Sequence, residues 1–449
     1  MQVHTISTPS LGDRSYLLTD GEVALVVDPQ RDVDRVHALL DELGVTLVAV
    51  FETHIHNDYV TGGLALARET GAAYHVNAAD PVAFERVGVA DGQVVAVGAM
   101  RVRVVATPGH TPTHLSYVVE HDDRVVACTG GSLLYGSVGR TDLVAAELTE
   151  HLTRQQFRSV RRLVAGLDDA VAVLPTHGFG SFCSSGDTTG ADTSTVGQER
   201  DLNQALVMDD EERFLQELLA GLDAYPTYYA AMAPRNLAGP TAPDLSPVLE
   251  VDSSEVRRRI HAGEWVVDLR TRTAFADGHL AGSINLELSD ESSTYLGWLV
   301  PLHEPVTLLS DDAGEVATLQ RQLVRIGLER PAGQHVGVTG TPDADATYPV
   351  ADFAAAAALL AERDDVVLLD TRRSLEWHQA HVPGAVHVPL HELPARLGEV
   401  PDGEVLVHCA SGYRASIAAS LLARAGRRVV LVDDEFDDHA AQHLGVEKA

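Results

Sequence analysis

The loop at residues 408–414 (HCASGYR) has the residue types that sulfur chemistry requires, between an apolar, strand-like run and a helical pattern. A short loop containing Ser411 and Gly412 at such a junction can turn backbone N–H groups inward, and the following helix adds the positive end of its dipole. Together with the positive charge of Arg414, these donors should keep Cys409 as a nucleophilic thiolate. The same donors would hold a persulfide or a sulfur oxyanion such as thiosulfate.

A second group of reactive residues consists of histidines that follow strand-like runs in the N-terminal half. His54 and His56 are two residues apart, so their side chains project to one side of an extended chain and can chelate one metal, with Asp58 continuing the row. His110 follows a Pro-Gly turn, and His177 follows a further strand. Because strand ends can gather at one edge of an α/β fold, we predict a metal site formed by these five residues.

The Cys409 loop resembles the C-x-x-G-x-R active-site loop of rhodaneses. Residues 369–372 (LDTR) resemble the D-x-R strand end of that family, and residues 381–389 (HVPGAVHVP) resemble its H-I-P-G-A-x-N-I-P segment. A buried, inert cysteine is the alternative, but an apolar core would not surround it with Ser, Gly and Arg. Phosphatase loops place one more residue between Cys and Arg, so the spacing favours sulfur over phosphate. The resemblance implies a sulfurtransferase site formed by Cys409, Arg414, Ser411 and Gly412.

An internal repeat covers the C-terminal half, since four residues of one copy recur at a constant offset in the other. These are Asp268, Arg270, His279 and Gly282, matched by Asp370, Arg372, His381 and Gly384. In the first copy Ser310 stands opposite Cys409, and Glu315 stands opposite Arg414. Without a nucleophile or a guanidinium, the first copy should be catalytically silent.

The N-terminal half resembles the metallo-β-lactamase fold and, within it, persulfide dioxygenases, through the segments 53–58 (THIHND), 107–111 (TPGHT) and 138–143 (VGRTDL). This resemblance implies one iron(II) held by two histidines, here His54 and His110, and by one aspartate. Gly131 occupies the aspartate position, so the predicted site lacks that ligand. Tyr59 replaces the last histidine of the H-x-H-x-D-H signature, so we expect no second metal. Neutral imidazoles alone would favour zinc or a weak metal site over a tuned iron centre.

The composition is that of a globular protein, with 45% apolar and 22% charged residues in 449. A formal net charge of −32 argues against nucleic acid and anionic membranes as partners. The sequence shows no pattern of a signal peptide or a membrane span, and its three cysteines are widely spaced. We therefore expect a reducing cytoplasm. Cys183 could accept sulfur near the metal or be packed in the core, whereas Cys128 follows an apolar run typical of the core.

The sequence therefore predicts an α/β protein with a metallo-β-lactamase-like αββα sandwich at 1–235. Two rhodanese-like domains with parallel sheets should follow, a silent one at 248–335 and an intact one at 348–449. Residues 184–197 are predicted as a surface loop, and residues 233–247 and 333–347 as linkers. A homo-oligomer is compatible with these folds.

The expected function is oxidation of a small-molecule thiol persulfide to sulfite, coupled to thiosulfate formation at Cys409. Two alternatives stay open. In one, a sulfurtransferase carries a degenerate, non-oxidative N-terminal module. In the other, the protein is a zinc-dependent thioester hydrolase.

Overall fold

The computed structural model describes residues 1–186, 190–338 and 344–448. The chain divides into two compact units. Unit 1 consists of Met1–Pro243 with Val324–Gly327, and unit 2 consists of Asp244–Leu323 with Leu328–Ala449.

Two six-stranded mixed sheets form the centre of unit 1. The first sheet has its strands in chain order: β1 (Gln2–Thr8), β2 (Asp13–Thr19), β3 (Val23–Val27), β4 (Thr46–Phe51), β5 (Ala73–Asn77) and β6 (Val87–Val89). The second sheet also follows the chain: β7 (Val94–Val97), β8 (Met100–Ala106), β9 (Leu115–His121), β10 (Arg124–Gly130), β11 (Ala172–Pro175) and β12 (Ser194–Thr195). Alternating apolar residues of both sheets, such as Phe51 and Tyr117, are buried in one shared core.

Helices cover the outer faces of the two sheets. Helices α1 (Asp34–Leu43) and α2 (Gly63–Thr70) bury residues against the first sheet. Helices α3 (Thr149–Ala165), α4 (Val196–Leu202), α5 (Gln204–Val207) and α6 (Glu211–Ala220) contribute to a core cluster with the second sheet. Helix α7 (Tyr229–Ala238) follows. This layering confirms the predicted αββα sandwich.

Unit 2 contains two parallel sheets, as predicted. The first has the order β14-β13-β15-β16, with β13 (Trp265–Asp268), β14 (Ile284–Asn285), β15 (Val306–Ser310) and β16 (Gly333–Val336). The second has the order β17-β21-β20-β18-β19, with β17 (Val350–Ala351), β18 (Val366–Asp370), β19 (Val386–His387), β20 (Glu404–His408) and β21 (Arg428–Val432).

The first repeat contains helices α8 (Ser253–His261), α9 (Arg272–Asp277), α10 (Ser292–Leu299) and α11 (Ala313–Arg325). The second contains α12 (Phe353–Glu362), α13 (Ser374–Gln379), α14 (Leu393–Arg396), α15 (Tyr413–Arg424), a π-helical turn (Phe436–Ala440) and α16 (Ala441–His443). Among the described residues, no helix combines the length and the apolar content needed to cross a membrane.

The predicted linkers are more regular than expected. Helix α7 continues through Pro234, although an interior proline removes one helical hydrogen bond and disfavours a helix. Strand β16 occupies the start of the second linker, whose residues 339–343 lie outside the described part. Strand β12 and the start of α4 lie at the end of the predicted loop 184–197, of which residues 187–189 also lie outside the described part. The division at 1–235, 248–335 and 348–449 stays a prediction.

Candidate metal centre and sulfur-transfer loop

Three buried histidines of unit 1 bring one ring nitrogen each to a common point. His54 comes shortly after β4, His110 shortly after β8 and His177 shortly after β11, so three strand ends deliver them. One nitrogen of each ring lies within 4.8 Å of the other two. The structure thus brings these three side chains together, and their role as metal ligands stays a prediction.

Hydrogen bonds fix the tautomers of two of these rings. His110 Nδ1 lies 2.7 Å from the carbonyl oxygen of Arg140, which can only accept, so Nδ1 carries the proton. His177 Nδ1 lies 2.8 Å from a carboxylate oxygen of Asp13, and the ionised form of Asp13 can only accept, so Nδ1 then carries the proton. In both rings the Nε2 lone pair is then available to a metal.

The tautomer of the third ring, His54, is also set by its hydrogen-bond partner. The Thr53 hydroxyl donates to Asp28 at 2.7 Å, so it accepts from His54 Nδ1 at 2.9 Å. Burial and the neighbouring histidines lower the pKa of His54 well below its usual range, which keeps the ring neutral. The Nε2 atoms of His54 and His177 are 3.4 Å apart with no proton between them, and His110 Nε2 has no partner among the described residues. Three converging lone pairs repel one another, and a divalent cation would satisfy all three.

His56 faces a different set of groups from the one predicted. Its Nε2 lies 3.3 Å from carboxylate oxygens of both Asp28 and Glu52, and 2.9 Å from the Tyr59 hydroxyl. Burial lowers the pKa of His56, but the two carboxylates outweigh burial and raise it to about 10. Its Nδ1 is buried without a hydrogen-bond partner among the described residues and belongs to a second potential ligand group with Asp58 and His177.

Asp58 supplies the only side-chain carboxylate in that second group. Both of its oxygens are buried: one lies 3.3 Å from His177 Nδ1, and the carboxyl groups of Asp58 and Asp13 share a hydrogen bond when one of them is protonated. Burial raises the pKa of Asp58 and of the adjacent Asp13 to about 7, and a nearby cation would favour their charged forms. Buried carboxylate oxygens beside histidine nitrogens are a donor set that fits a divalent metal.

The position of Gly131 shows how the expected aspartate is replaced. A Cβ atom on Gly131 would lie 2.2 Å from His110 Cδ2 and 2.8 Å from His110 Nε2. The His110 ring therefore fills the space of the missing side chain. His177, from another strand end, provides the third convergent ligand atom instead.

The two cysteines of unit 1, Cys128 and Cys183, are buried thiols. Burial and the carboxylates of Asp58 and Asp13 raise the pKa of Cys183 well above its usual range, and its Sγ contacts the Tyr229 hydroxyl at 3.9 Å. A thiol held neutral in this way is a poor nucleophile, which weighs against Cys183 as a sulfur acceptor. Cys128 lies in the core between the sheets, as its sequence context predicted.

In unit 2, Cys409 follows β20 directly and precedes α15, as predicted. It is 1% exposed. Gly412 adopts φ +87°, a left-handed conformation that glycine tolerates without strain, and this turns the loop into the helix. The backbone N–H groups of Ser411, Gly412 and Arg414 find no acceptor among the described residues. They are therefore available to a sulfur anion.

The positive charge of Arg414 is paired with a carboxylate that the sequence analysis did not identify. Its two terminal nitrogens donate to the two carboxylate oxygens of Glu376 at 2.6 and 2.7 Å. Burial raises the pKa of Glu376, but the hydrogen bonds and charge of Arg414 outweigh burial and lower it to about 2. This bidentate pair fixes the guanidinium and balances its charge, so the loop amides must contribute more of the anion binding.

The equivalent loop of the first repeat is filled by its own side chains. The Ser310 hydroxyl donates to the Glu315 carboxylate and accepts from the Asp312 N–H at 3.0 Å. Asp311 accepts from the Val338 N–H at 2.7 Å. These contacts support the prediction that this loop binds no sulfur anion.

Sequence reasoning missed several residues that surround both sites. His114 lies four residues after His110, and its Nε2 accepts from the Gly131 N–H at 3.0 Å. Its spacing from His110 was a signal that could have identified it. Other supporting residues come from distant parts of the chain, where no local pattern marks them: Asp13, Asp28, Glu52, Arg140 and Glu376.

Comparisons with known proteins agree with this architecture. The Rhodanese-like domain model matches residues 252–333 and 353–442, and the Metallo-beta-lactamase superfamily model matches residues 13–177. The mitochondrial persulfide dioxygenase ETHE1 of Bos taurus is 30% identical over 205 residues, covering 44% of this chain and 73% of the relative. A hydroxyacylglutathione hydrolase of Acidiphilium cryptum is 32% identical over 174 residues, covering 38% of this chain and 67% of the relative. A solved metallo-beta-lactamase structure from Staphylococcus aureus superposes with a TM-score of 0.67 at 25% identity, covering 75% of this chain and 98% of that one.

The chain belongs to the metallo-beta-lactamase superfamily and carries two rhodanese-like domains after its N-terminal domain. Its N-terminal domain is homologous to persulfide dioxygenases, and the domain order fits a persulfide dioxygenase–rhodanese fusion. It is an enzyme of sulfur metabolism.

Proposed function

We propose that this enzyme oxidises small-molecule thiol persulfides at the metal centre of unit 1 and transfers sulfane sulfur through Cys409. The observation that carries the proposal is the loop after β20, where a cysteine is followed by backbone donors that have no acceptor among the described residues. The convergent imidazoles of unit 1 and the homology to persulfide dioxygenases support the oxidative half.

At the metal centre, His54, His110 and His177 would hold the ion, and Asp58 lies beside this group, 3.3 Å from His177 Nδ1. When bound, iron(II) supplies the activation of O₂ for the overall reaction R–S–S⁻ + O₂ + H₂O → R–S⁻ + SO₃²⁻ + 2 H⁺. The protein's own contribution is positional. The hydrogen bonds from Nδ1 to Arg140, Asp13 and Thr53 keep each Nε2 lone pair directed inward.

At the sulfur-transfer loop, the Cys409 thiolate attacks the sulfane sulfur of a persulfide donor. A new S–S bond forms on Cys409, and the donor leaves as its thiolate. Sulfite then attacks the outer sulfur, the bond to Cys409 breaks, and thiosulfate leaves with Cys409 restored as a thiolate. No net oxidant is needed in either step. The loop amides stabilise the negative charge on the outer sulfur, and the Arg414–Glu376 pair fixes the guanidinium beside it.

Mass spectrometry after treatment with thiosulfate tests the transfer half. We expect the peptide containing Cys409 to gain one sulfur atom, and cyanide to remove that sulfur. A Cys409→Ser variant should lose both the label and thiosulfate:cyanide sulfurtransferase activity, whereas Cys128→Ser serves as the matched control in a buried position outside the loop. An unlabelled wild-type protein, or full turnover by Cys409→Ser, would refute the proposal.

Oxygen uptake with glutathione persulfide tests the oxidative half. Protein loaded with iron should consume O₂ and produce sulfite, and protein loaded with zinc should not. No uptake, together with metal content well below one ion per chain, would eliminate this half.

A second candidate is a sulfurtransferase whose N-terminal module binds persulfide without oxidising it. Gly131 favours this candidate, because the carboxylate that persulfide dioxygenases are expected to use is absent and the His110 ring occupies its space. A zinc-dependent thioester hydrolase is disfavoured, because Tyr59 and Gly131 remove two ligands of a dinuclear site. Elemental analysis separates the three: about one iron supports the dioxygenase, zinc supports the hydrolase, and no metal supports the non-oxidative module.

A further inference from the structure

Arg272 belongs to the first rhodanese repeat, yet its guanidinium contacts the Cys409 loop of the second. It is the first residue of α9. Its Nε donates to Asp433 Oδ1 at 2.6 Å, and its Nη1 donates to Glu287 Oε2 at 2.8 Å. Its Nη2 reaches the carbonyl oxygen of Ser411 at 3.4 Å. One guanidinium therefore links a carboxylate of each repeat to the backbone of the reactive loop.

The two carboxylates hold this guanidinium in place. Only about a quarter of the Arg272 side chain is exposed (27%), and the two carboxylates are similarly shielded from water. A planar guanidinium bound on two edges has little rotational freedom left. The donor directed at Ser411 is consequently a fixed feature of the loop's surroundings.

The loop packs directly against this ion pair at Gly412. A Cβ atom on Gly412 would lie 2.0 Å from Asp433 Oδ1 and 3.1 Å from Arg272 Nε. Together with its φ of +87°, this close approach leaves glycine as the residue that fits. A movement of Arg272 or Asp433 would therefore displace the backbone of the loop at Gly412.

The peptide between Ser411 and Gly412 connects this contact to the reactive sulfur. In a planar trans peptide the N–H points opposite to the C=O. Since the Ser411 carbonyl points towards Arg272, the Gly412 N–H points away from it, and that N–H has no acceptor among the described residues. We propose that Arg272 is a positioning residue, which holds the Ser411–Gly412 peptide so that the Gly412 N–H faces the sulfur anion on Cys409.

Two further contacts fix the first repeat against the helix that follows the loop. The Asn285 N–H donates to the Ser420 hydroxyl at 3.0 Å, and the Ser292 and Tyr413 hydroxyls are 3.2 Å apart. Because α15 begins at Tyr413, the loop is held by the first repeat on both sides of Gly412. The silent repeat thus has a role in catalysis that its own closed loop does not reveal. This inference rests on the proposed sulfur transfer through Cys409.

Sulfurtransferase kinetics of the full chain test it. The variants are Arg272→Met, which keeps the volume but removes every donor, and Arg272→Lys, which keeps the charge. The matched control is Arg258→Met, since Arg258 lies in the same repeat and pairs with Glu255 and Glu264, at 2.8 and 3.2 Å. The readouts are kcat and KM for thiosulfate, sulfur loading of Cys409 by mass spectrometry, and thermal unfolding.

We expect Arg272→Met to lower kcat by ~10- to 100-fold with a smaller change in KM. The reason is that a misdirected Gly412 N–H no longer stabilises the negative charge on sulfur, and this interaction matters most in the transition state. Arg272→Lys should recover part of kcat, and Arg258→Met should match the wild type. If Arg272→Met lowers the unfolding temperature but leaves kcat per folded molecule at the control's value, its role is structural and the inference is wrong. If the wild type itself acquires no sulfur on Cys409, the proposed function fails and this inference fails with it.

Discussion

A Gly131→Asp substitution would place the missing carboxylate directly onto the ring of His110. The Cβ atom alone would lie 2.2 Å from His110 Cδ2, which is far inside van der Waals contact. The backbone of Gly131 is not in a left-handed conformation, so the entire cost comes from this contact. The experiment therefore asks whether the His110 ring can move.

The structure indicates that the His110 ring cannot move without a cost in folding free energy. On its other side the ring faces Gly139, where an added Cβ would lie 2.8 Å from His110 Nδ1. The ring is also held by the bond from Nδ1 to the Arg140 carbonyl, at 2.7 Å. Overpacking a buried site costs ~1–3 kcal/mol, and loss of that hydrogen bond adds ~0.5–1.5 kcal/mol. We expect Gly131→Asp and Gly131→Ala each to lose about 2–4 kcal/mol of unfolding free energy.

Chemical denaturation and elemental analysis of the same preparations measure both consequences. Metal content should fall in both variants, because the displaced ring no longer directs its Nε2 to the site. Gly166→Ala is the matched control, since its nearest heavy atom is 3.9 Å away and its cost should stay within about 0.5 kcal/mol. If Gly131→Asp binds metal as tightly as the wild type without loss of stability, the ring moves freely and the reasoning is wrong.

Two further predictions concern single residues of the two sites. His177→Ala should weaken metal affinity by ~10-fold or more, measured by competition with a chelator, because it removes one of three convergent nitrogens. The control His37→Ala, in an exposed pair with Glu69, should bind metal normally. Glu376 has its pKa lowered from 4.5 to about 2, so its stabilising effect is complete above pH 4.5 and is lost as the pH falls towards 2. Glu376→Gln should therefore be less stable than the wild type at pH 7 by an amount that shrinks below pH 4.5, and a constant difference in denaturation midpoints across that range would contradict the pairing with Arg414.

The sequence predicted the positions of reactive residues better than the directions of their side chains. His54, His110 and His177 follow strands, and strand ends gather for topological reasons, so their meeting could be predicted. The direction of the His56 side chain could not be predicted, because its Nε2 lies against the carboxylates of Asp28, after β3, and Glu52, after β4. The i, i+2 spacing predicts that His54 and His56 project to one side of the chain, but it cannot indicate which groups the nitrogens of His56 face in the folded protein.

The partners of charged residues are equally difficult to predict from the sequence. The sequence places the charge of Arg414 beside Cys409 but does not identify its partner, because Glu376 lies two strands and a helix earlier in the chain and reaches Arg414 only in the folded domain. Gly131 shows the reverse case. Its missing side chain was evident from the sequence, but only the packing of the His110 ring shows that the space has been filled by another residue.

The two rhodanese repeats show why loss of one active loop need not remove a domain's part in catalysis. In the first repeat, Ser310 and Glu315 bond to each other, so its loop is stable without a ligand. The loop of Cys409 instead leaves the N–H groups of Ser411, Gly412 and Arg414 without an acceptor among the described residues, so no hydrogen bond of these amides holds them in place. The guanidinium of Arg272, which contacts the Ser411 carbonyl, orients the Ser411–Gly412 peptide from outside the loop. Arg272 is itself held in place, because Glu287 of its own repeat also binds it. A reactive loop that must stay open for sulfur therefore depends on a neighbouring domain whose own loop is closed.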